Sequence, residues 1–323
     1  MNAIDVSHLR RTFTSSIGVI KRSAREIVAV DDVSFDIQEG ELFGLLGPNG
    51  AGKTTTTKML TTLLIPTGGT ATVKGFDVVK EADQVRRRIG FIFGGERGLY
   101  WRLSGIDNLR YFASLYNVAP DVTKKRIEYL LDMVGLKGRG DEKVQGYSRG
   151  MKQRLHVART LLHNPDILFL DEPTLGLDPV GAREFRQVIL QLQSEKKTIL
   201  LTTHYMFEAD ALCDRIAIIN HGRIIALDTP GGLKSRVLDM NVVEVEIFGI
   251  PDATLEKLRG LPFVDALSVE DYDQKQMLLI QTARGAEAVP DILSAIDGQR
   301  VGRVVVREPT LEDAYVRLVG GSA

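Results

Sequence analysis

The stretch Gly47-Pro48-Asn49-Gly50-Ala51-Gly52-Lys53-Thr54 fits the phosphate-binding loop pattern G-x-x-x-x-G-K-[ST] at every position. Residues 41–46 just before it predict a short buried strand, and residues 54–64 predict a helix that ends before Pro66. Glycines between strand and helix let successive backbone N–H groups face one anion, and the helix N-terminus adds partial positive charge. The stretch therefore predicts a site for the phosphates of a nucleoside triphosphate.

Two side chains of this loop have the chemistry that triphosphate binding requires. Lys53 is long enough to reach the β- and γ-phosphates as a mobile cation, and the Thr54 hydroxyl is a suitable ligand for Mg²⁺. A glycine-rich turn with a surface lysine is the alternative, and the flanking strand and helix make it the weaker one. We expect the nucleotide to contact Gly47, Pro48, Asn49, Gly50, Ala51, Gly52, Lys53, Thr54 and Thr55.

Two carboxylates follow an uninterrupted apolar run, Ile167-Leu168-Phe169-Leu170. That run predicts a central parallel strand, and ligands of α/β sheets bind at the carboxyl ends of such strands. Asp171 is placed there to hold Mg²⁺ through water, and Glu172 to orient or deprotonate the water that attacks the γ-phosphate. An ordinary acidic turn after a strand is the alternative, and the phosphate-binding loop makes it weak.

Three more positions are candidates for nucleotide contacts. His204 ends the buried strand predicted at 198–203 and is placed to touch the γ-phosphate, although a lone histidine is usually structural. Ser148 is a natural N-cap for the helix predicted through Leu162, so the start of this helix is a second candidate anion site. Phe13, on the first predicted strand, would either stack on the adenine ring or belong to the core.

The amino-acid composition limits the kinds of protein that this chain can be. The 323 residues are 44% hydrophobic and 26% charged, as in ordinary globular proteins, and a net charge of −1 gives no general attraction to nucleic acid or anionic lipid. The single cysteine, Cys213, excludes an intrachain disulfide framework and fits a reducing cytosol. No apolar run has the length of a signal-peptide core or a membrane span, so we expect any membrane contact to pass through a partner.

A helical subdomain spanning about 96–162 is predicted inside the nucleotide-binding domain. Segments 104–116 and 123–134 follow the helical period of 3.6 residues. The adjacent aromatic residues Tyr100 and Trp101 fit a partner surface and packing against the protein's own helices equally well.

The pattern changes from Met240 onward. Strands and helices are predicted in the order βαββαβ, which is typical of a ferredoxin-like fold. We therefore expect two domains, an α/β P-loop domain at 1–238 and a small α+β domain at 239–323. The second domain shows no catalytic constellation, and we interpret it as regulatory or dimer-stabilising.

Taken together, the motifs resemble those of the ATP-binding cassette (ABC) ATPase family over residues 1 to about 238. The phosphate-binding loop, the signature-like stretch 147–151, the Asp171-Glu172 strand, the Gly176-Leu177-Asp178 loop and His204 occur in the family's order and at its spacing. The chain is similar in particular to the cytosolic ATPases of daunorubicin-resistance-type exporters. They share the Pro-Thr-Leu-Glu-Asp run found here at 309–313.

The resemblance implies a subunit that binds and hydrolyses ATP with Mg²⁺ and powers export through a separate integral membrane permease, at the cytoplasmic face of the membrane. In the family, two cassettes pair head to tail, so that the P-loop of one and the signature of the other enclose each ATP. One P-loop and one signature in this chain imply a homodimer. The implied roles are catalytic for Glu172, His204 and Lys53, metal-binding for Thr54 and Asp171, and nucleotide-binding for Phe13, Ser148, Gly150 and Asp178.

The sequence departs from the family pattern at two places. The usual signature is Leu-Ser-Gly-Gly-Gln, whereas here Arg149 and Met151 replace a glycine and the glutamine. The family's glutamine loop should follow 89–93, where Glu96 is the nearby candidate for the role of the missing glutamine.

Two other functions are compatible with the motifs. One is a soluble ABC ATPase acting on ribosomes or DNA, although the near-neutral charge gives phosphate-dominated binding little support, and we expect no nucleic acid partner. A nucleotide-binding regulator without turnover is the weaker alternative, because Glu172 and His204 are both present.

Overall fold

The computed structural model describes residues 2–17, 23–93, 98–236, 241–272 and 275–320. The chain divides into two compact units, Met1–Leu227 and Asp228–Ala323, each with a hydrophobic core of its own. Glu96 lies outside the described residues. No helix in the described part of the chain combines the length and the apolar character needed to cross a bilayer.

An antiparallel sheet opens the first unit. Its strands are β1 (Asn2–Ile17), β2 (Ser23–Gln38), β4 (Gly68–Val73) and β5 (Phe76–Asp77). They lie in the order β2-β1-β4-β5, and β1 pairs with both β2 and β4. Inward-facing side chains of β1 and β2, among them Ile4, Leu9, Val33 and Ile37, join the core of this unit.

A second sheet carries the candidate site. Its strands are β3 (Leu42–Leu46), β6 (Ile89–Phe93), β7 (Ile167–Asp171), β8 (Thr198–Thr203), β9 (Arg215–Asn220) and β10 (Arg223–Asp228), in the order β10-β9-β3-β8-β7-β6. The pairs β3–β8, β3–β9, β7–β8 and β6–β7 are parallel. Every residue of β3, β7 and β8 is buried, because both faces of a central parallel strand are covered. The carboxyl ends of these three strands therefore share one edge of the sheet.

Seven α-helices are described in the first unit. They are α1 (Lys53–Leu60), α2 (Ala82–Arg86), α3 (Gly105–Leu115), α4 (Pro120–Met133), α5 (Arg149–Thr160), α6 (Pro179–Ser194) and α7 (Met206–Leu212). The two periodic segments predicted as helices are confirmed as α3 and α4, which bury Leu109 and Leu130 respectively. Helix α4 begins three residues earlier than its predicted start at 123, because Pro120 is favoured at the first helical position.

The second unit has the predicted βαββαβ order. Its elements are α8 (Pro230–Ser235), β11 (Asn241–Ile247), α9 (Asp252–Arg259), β12 (Ala266–Tyr272), β13 (Lys275–Thr282), α10 (Val289–Ala295), β14 (Val301–Arg307) and α11 (Leu311–Gly320). The strands lie in the order β12-β13-β11-β14, and each neighbouring pair is antiparallel. Alternate residues of β11, namely Val243, Val245 and Ile247, enter the core with Leu258 of α9 and Ile292 of α10.

The boundary between the units precedes the predicted one at 238/239. Helix α8 is grouped with the second unit, where it packs against α11. Sequence patterns do not reveal this contact, because α8 and α11 are separated by the whole βαββαβ segment.

Candidate active site

The loop between β3 and α1 requires glycine at two positions. Gly52 has a φ of +109°, and a Cβ there would lie 2.6 Å from the carbonyl oxygen of Ala29. A Cβ on Gly47 would lie 2.2 Å from the carbonyl oxygen of Ile219. These close approaches hold the loop against its neighbours, so its backbone follows one path around the start of α1.

Lys53 is buried at the first position of α1. Its side chain is 4% exposed, and the ammonium donates to the carbonyl oxygens of Gly47 at 2.6 Å and Pro48 at 3.1 Å. The same ammonium lies 3.2 Å from Oε1 of Glu172. A buried cation thus joins the loop to the carboxylate that follows β7.

Asp171 receives two hydroxyl groups at the end of β7. The Thr54 hydroxyl donates to Oδ2 at 2.9 Å, and the Thr202 hydroxyl donates to Oδ1 at 2.5 Å. Asp171 is 5% exposed, so these bonds replace water around its charge. Hydroxyl and carboxylate oxygens are the hard donors that Mg²⁺ prefers, so Thr54 and Asp171 fit this ion.

Glu172 lies between two basic groups. Its Oε2 is 3.1 Å from Nδ1 of His204, and its Oε1 faces the Lys53 ammonium. Its backbone has a φ of +47°, and its N–H donates to the carbonyl and the hydroxyl oxygens of Thr202 at 3.0 and 3.1 Å. The carboxylate is therefore fixed in direction and able to accept a proton.

A cavity of about 130 Å³ opens beside these groups, large enough for a phosphate group but not for a whole nucleotide. Of the residues that the structure describes, neither Ser148 nor Gly150 lines it. Phe13 is also absent from its lining; the ring is 37% exposed on β1, 4.7 Å from the Arg11 guanidinium. The cavity is lined by Ala29, Pro48, Asn49, Gly50, Gly52, Lys53, Thr54, Thr55 and Glu172.

Ser148 of the signature-like stretch and Asp178 of the 176–178 loop each lie at the start of a helix. Ser148 caps α5 by accepting a hydrogen bond from the Met151 N–H at 3.2 Å, as its sequence position predicts. Asp178 caps α6 in the same way, accepting from the Gly181 N–H at 2.8 Å. A Cβ on Gly150 would lie 3.6 Å from the Cα of Gly181, so the two helix starts are neighbours.

Thr202 is a site residue that sequence reasoning missed. It touches both Asp171 and Glu172 because the β7–β8 register pairs Asp171 with Thr202. A hydroxyl residue two positions before His204 was the only available signal. It points to this contact only when the neighbouring strand and its register are known.

Comparisons with known sequences identify relatives of this chain. A family model for ABC transporters matches residues 30–175. The linearmycin resistance ATP-binding protein LnrL of Bacillus subtilis (strain 168) is 34% identical over 93% of this chain and 96% of its own length. The daunorubicin/doxorubicin resistance ATP-binding protein DrrA of Streptomyces peucetius is 44% identical over 68% of this chain and 66% of its own length.

A solved structure shares the fold of the first unit. The dimeric, post-hydrolysis structure of the ATP-binding cassette MJ0796 bound to ADP and Pi superposes with a TM-score of 0.61 at 25% identity. The match covers 70% of this chain and 98% of that one. That solved relative, whose fold the chain shares, was solved with nucleotide bound.

Proposed function

This chain belongs to the ABC transporter family and is an ABC ATPase, and we propose that it drives export of a small organic molecule through a separate membrane permease. The observation that carries the proposal is the cluster of Lys53, Glu172 and His204 beside the phosphate-sized cavity. Relatives named for resistance to linearmycin and to daunorubicin support an antibiotic-like cargo. In this proposal the chain acts at the cytoplasmic face of the membrane.

Each site residue has a role in hydrolysis in this proposal. Lys53 turns its ammonium from the loop carbonyls to the β- and γ-phosphates, and the backbone N–H groups of the loop hold the same oxygens. Glu172 accepts the proton of the attacking water, while His204 is held by Glu172 and contacts the γ-phosphate. Mg²⁺, held by Thr54 and Asp171, supplies positive charge that neutralises the triphosphate when it is bound.

A second copy of the chain completes each ATP site. Ser148 and Gly150 do not line the phosphate-sized cavity of their own chain in the described structure. We propose that they face the triphosphate bound by a partner copy, in a two-fold homodimer with two equal sites. The dimeric form of the solved relative MJ0796 supports this assembly.

The permease is proposed to dock on a different, larger cavity of about 570 Å³. Exposed aromatic rings, including Phe91 and Tyr116, share its lining with the basic groups of Arg86, Arg87 and Arg159. Such a surface suits an amphipathic segment that carries a carboxylate. Tyr100 and Trp101, about half exposed, form a further candidate contact surface for the permease on the helical subdomain.

Co-purification from membranes tests this function. The tagged full chain, at native expression, is expected to retain one integral membrane protein in detergent and to hydrolyse ATP in that complex. Arg87→Glu should weaken retention, whereas Arg303→Glu, an equal charge change at an exposed position of the second unit, should not. Failure of the wild-type chain to associate with any membrane fraction would contradict the proposal.

A further inference from the structure

Arg149 is one of the residues by which this signature departs from the family pattern, and its side chain contacts the loop that contains Gly176. A Cβ built on Gly176 would lie 2.2 Å from Nη1, 2.5 Å from Cζ and 2.7 Å from Nη2 of Arg149. The guanidinium therefore occupies the space beside Gly176 that a side chain would fill. Gly176 itself has a φ of +72°, a backbone conformation that glycine adopts without strain.

The loop that Arg149 touches connects the catalytic carboxylate to α6. It begins directly after Glu172 and ends at Asp178, which caps α6. Residues of α5 and α6 already meet at Gly150 and Gly181. Arg149 adds a second contact between the same two regions, in the middle of the loop.

We propose that Arg149 is a positioning residue that links the signature of each chain to the Glu172 loop of the same chain. This inference rests on the proposed homodimer, in which Ser148 faces the ATP of the partner copy. Contact between the signature and that ATP would then be transmitted through Arg149 and Gly176 to the chain's own Glu172. Arg149 thereby couples the two ATP sites of the dimer.

The chemistry of arginine suits this role. Its guanidinium is planar and weakly hydrated, so it lies flat against a backbone and still carries its charge at an exposed position. A glycine at position 149, as in the usual signature, could make no such contact. Lysine keeps the charge and loses the planar group, so it tests which of the two properties matters.

Steady-state hydrolysis by the full chain is the first test. Arg149→Ala should lower kcat about 10- to 100-fold, the cost of slightly misplacing a catalytic group, while ATP affinity stays unchanged because the P-loop is intact. The kcat of Arg149→Lys should lie between those of wild type and Arg149→Ala. Equal losses in kcat and ATP affinity, or a wild-type kcat in Arg149→Ala, would overturn the proposal.

A double-mutant cycle tests whether Arg149 acts through Gly176. A Cβ in Gly176→Ala displaces the guanidinium, so the double variant should be no slower than Gly176→Ala alone. Independent roles would instead multiply the two losses in kcat, which would contradict the linkage.

Mixed dimers separate action within one chain from action across the interface. A dimer of Arg149→Ala with Glu172→Gln binds ATP at both sites, and its one intact Glu172 belongs to the Arg149→Ala chain, whose signature faces the ATP of the partner. If Arg149 acts within its own chain, this dimer should be slower than a wild-type/Glu172→Gln dimer by the factor that Arg149→Ala loses in kcat. A rate equal to that of the wild-type/Glu172→Gln dimer would show action across the interface and overturn the proposal.

Dimer formation itself is checked separately. Glu172→Gln, with and without Arg149→Ala, should form an ATP-dependent dimer in size-exclusion chromatography. Absence of any dimer in Glu172→Gln would refute the homodimer, whereas a dimer with unaltered Arg149→Ala kinetics would refute only the role of Arg149.

Discussion

Glu172 is held in a backbone conformation that residues with a side chain rarely adopt. Its φ of +47° lies in the left-handed region, which costs such a residue about 1–2 kcal/mol. Two hydrogen bonds from its N–H to Thr202 offset that cost, and Lys53 and His204 orient its carboxylate. Backbone strain of this kind clusters at active sites, where it fixes the direction of a reacting group.

Glu172→Gln should keep ATP binding and dimer formation but lower turnover about 10²–10⁴-fold. The amide has the same shape as the carboxylate and cannot accept the water proton. Phosphate release measures the loss, and a fluorescent nucleotide measures binding. Lys53→Ala is the contrasting variant, since it should lose nucleotide affinity itself. Near-wild-type phosphate release from Glu172→Gln would show that another group takes the proton.

Thr202→Val should remove one hydrogen bond from the Asp171 carboxylate and one from the Glu172 N–H, at a nearly unchanged side-chain volume. The variant loses the hydroxyl that donates to Asp171 and accepts from Glu172, and a lost hydrogen bond to a buried charge costs about 1.5–3 kcal/mol. We expect weaker Mg²⁺-dependent ATP binding and roughly 10-fold slower turnover. Titration of Mg²⁺ at fixed ATP, followed by phosphate release, measures both effects. Wild-type Mg²⁺ dependence and turnover in Thr202→Val would show that the Thr202 hydroxyl does not support the site.

The site residues that could be predicted are those whose roles follow from local sequence. The phosphate-binding loop, the Asp171-Glu172 pair and His204 each stand next to a strand whose apolar run is visible in the chain. Thr202 could not be predicted, because its role depends on the register of two strands. The Arg149–Gly176 contact was hidden for a similar reason, since the two residues lie on different elements.

Helix α5 contains a buried histidine, His156, whose pKa is lowered in the folded chain. Its His156 is 3% exposed, and burial, with a smaller effect of Arg159, lowers the pKa of His156 to about 3. Its Nε2 has no hydrogen-bond partner among the described residues. The folded chain therefore keeps this histidine neutral at pH values where the unfolded chain protonates it.

Acid should destabilise the first unit through His156. The pKa of His156 in the folded chain lies below its unfolded value of about 6.5. The neutral ring therefore contributes its full stabilisation at pH values above about 6.5. This stabilisation is lost as pH falls toward the folded pKa, by up to about 1.4 kcal/mol per pH unit. His156→Leu should flatten this dependence between pH 6.5 and 4.5. Urea unfolding followed by the fluorescence of Trp101, the single tryptophan, measures the free energy of unfolding at each pH. The same pH dependence in wild type and His156→Leu would contradict this role of His156.

Elements were predictable where periodicity was strong and uncertain at their ends. Apolar runs predicted the central strands, and the 3.6-residue period predicted α3 and α4. The start of α4 was displaced because Pro120 occupies the first helical position. Proline usually signals a break in a sequence, and only the helix that follows shows its role as a start.

At the scale of the whole molecule, the chain is two units with separate cores. The order and periodicity of elements in the second unit allowed its fold to be predicted, because apolar and polar residues alternate along its strands. Its first helix, α8, precedes the predicted boundary and is grouped with the second unit, since its contact with α11 joins residues far apart in sequence. Contacts of that kind define domains and leave no local pattern.

Arg307 joins three elements of the second unit. Its Nε donates to Glu244 of β11 at 2.5 Å, and its Nη1 donates to Asp313 of α11 at 2.6 Å. Asp313, which is 5% exposed, also accepts from the N–H and the hydroxyl of Thr310, both at 2.7 Å. The Pro-Thr-Leu-Glu-Asp run thus contributes a helix start and a carboxylate to this network.

A fragment of residues 228–323 should fold by itself, because its core is built from its own residues. Arg307→Ala should lower its free energy of unfolding by about 2 kcal/mol, since two partly buried carboxylates lose their cation. Arg303→Ala, at an exposed position of the same strand, should change it by less than about 0.5 kcal/mol. Urea unfolding followed by circular dichroism measures the three fragments. In the full chain, Arg307→Ala should leave the Trp101 transition unchanged, and a shift of that transition would mean that the two units do not unfold independently.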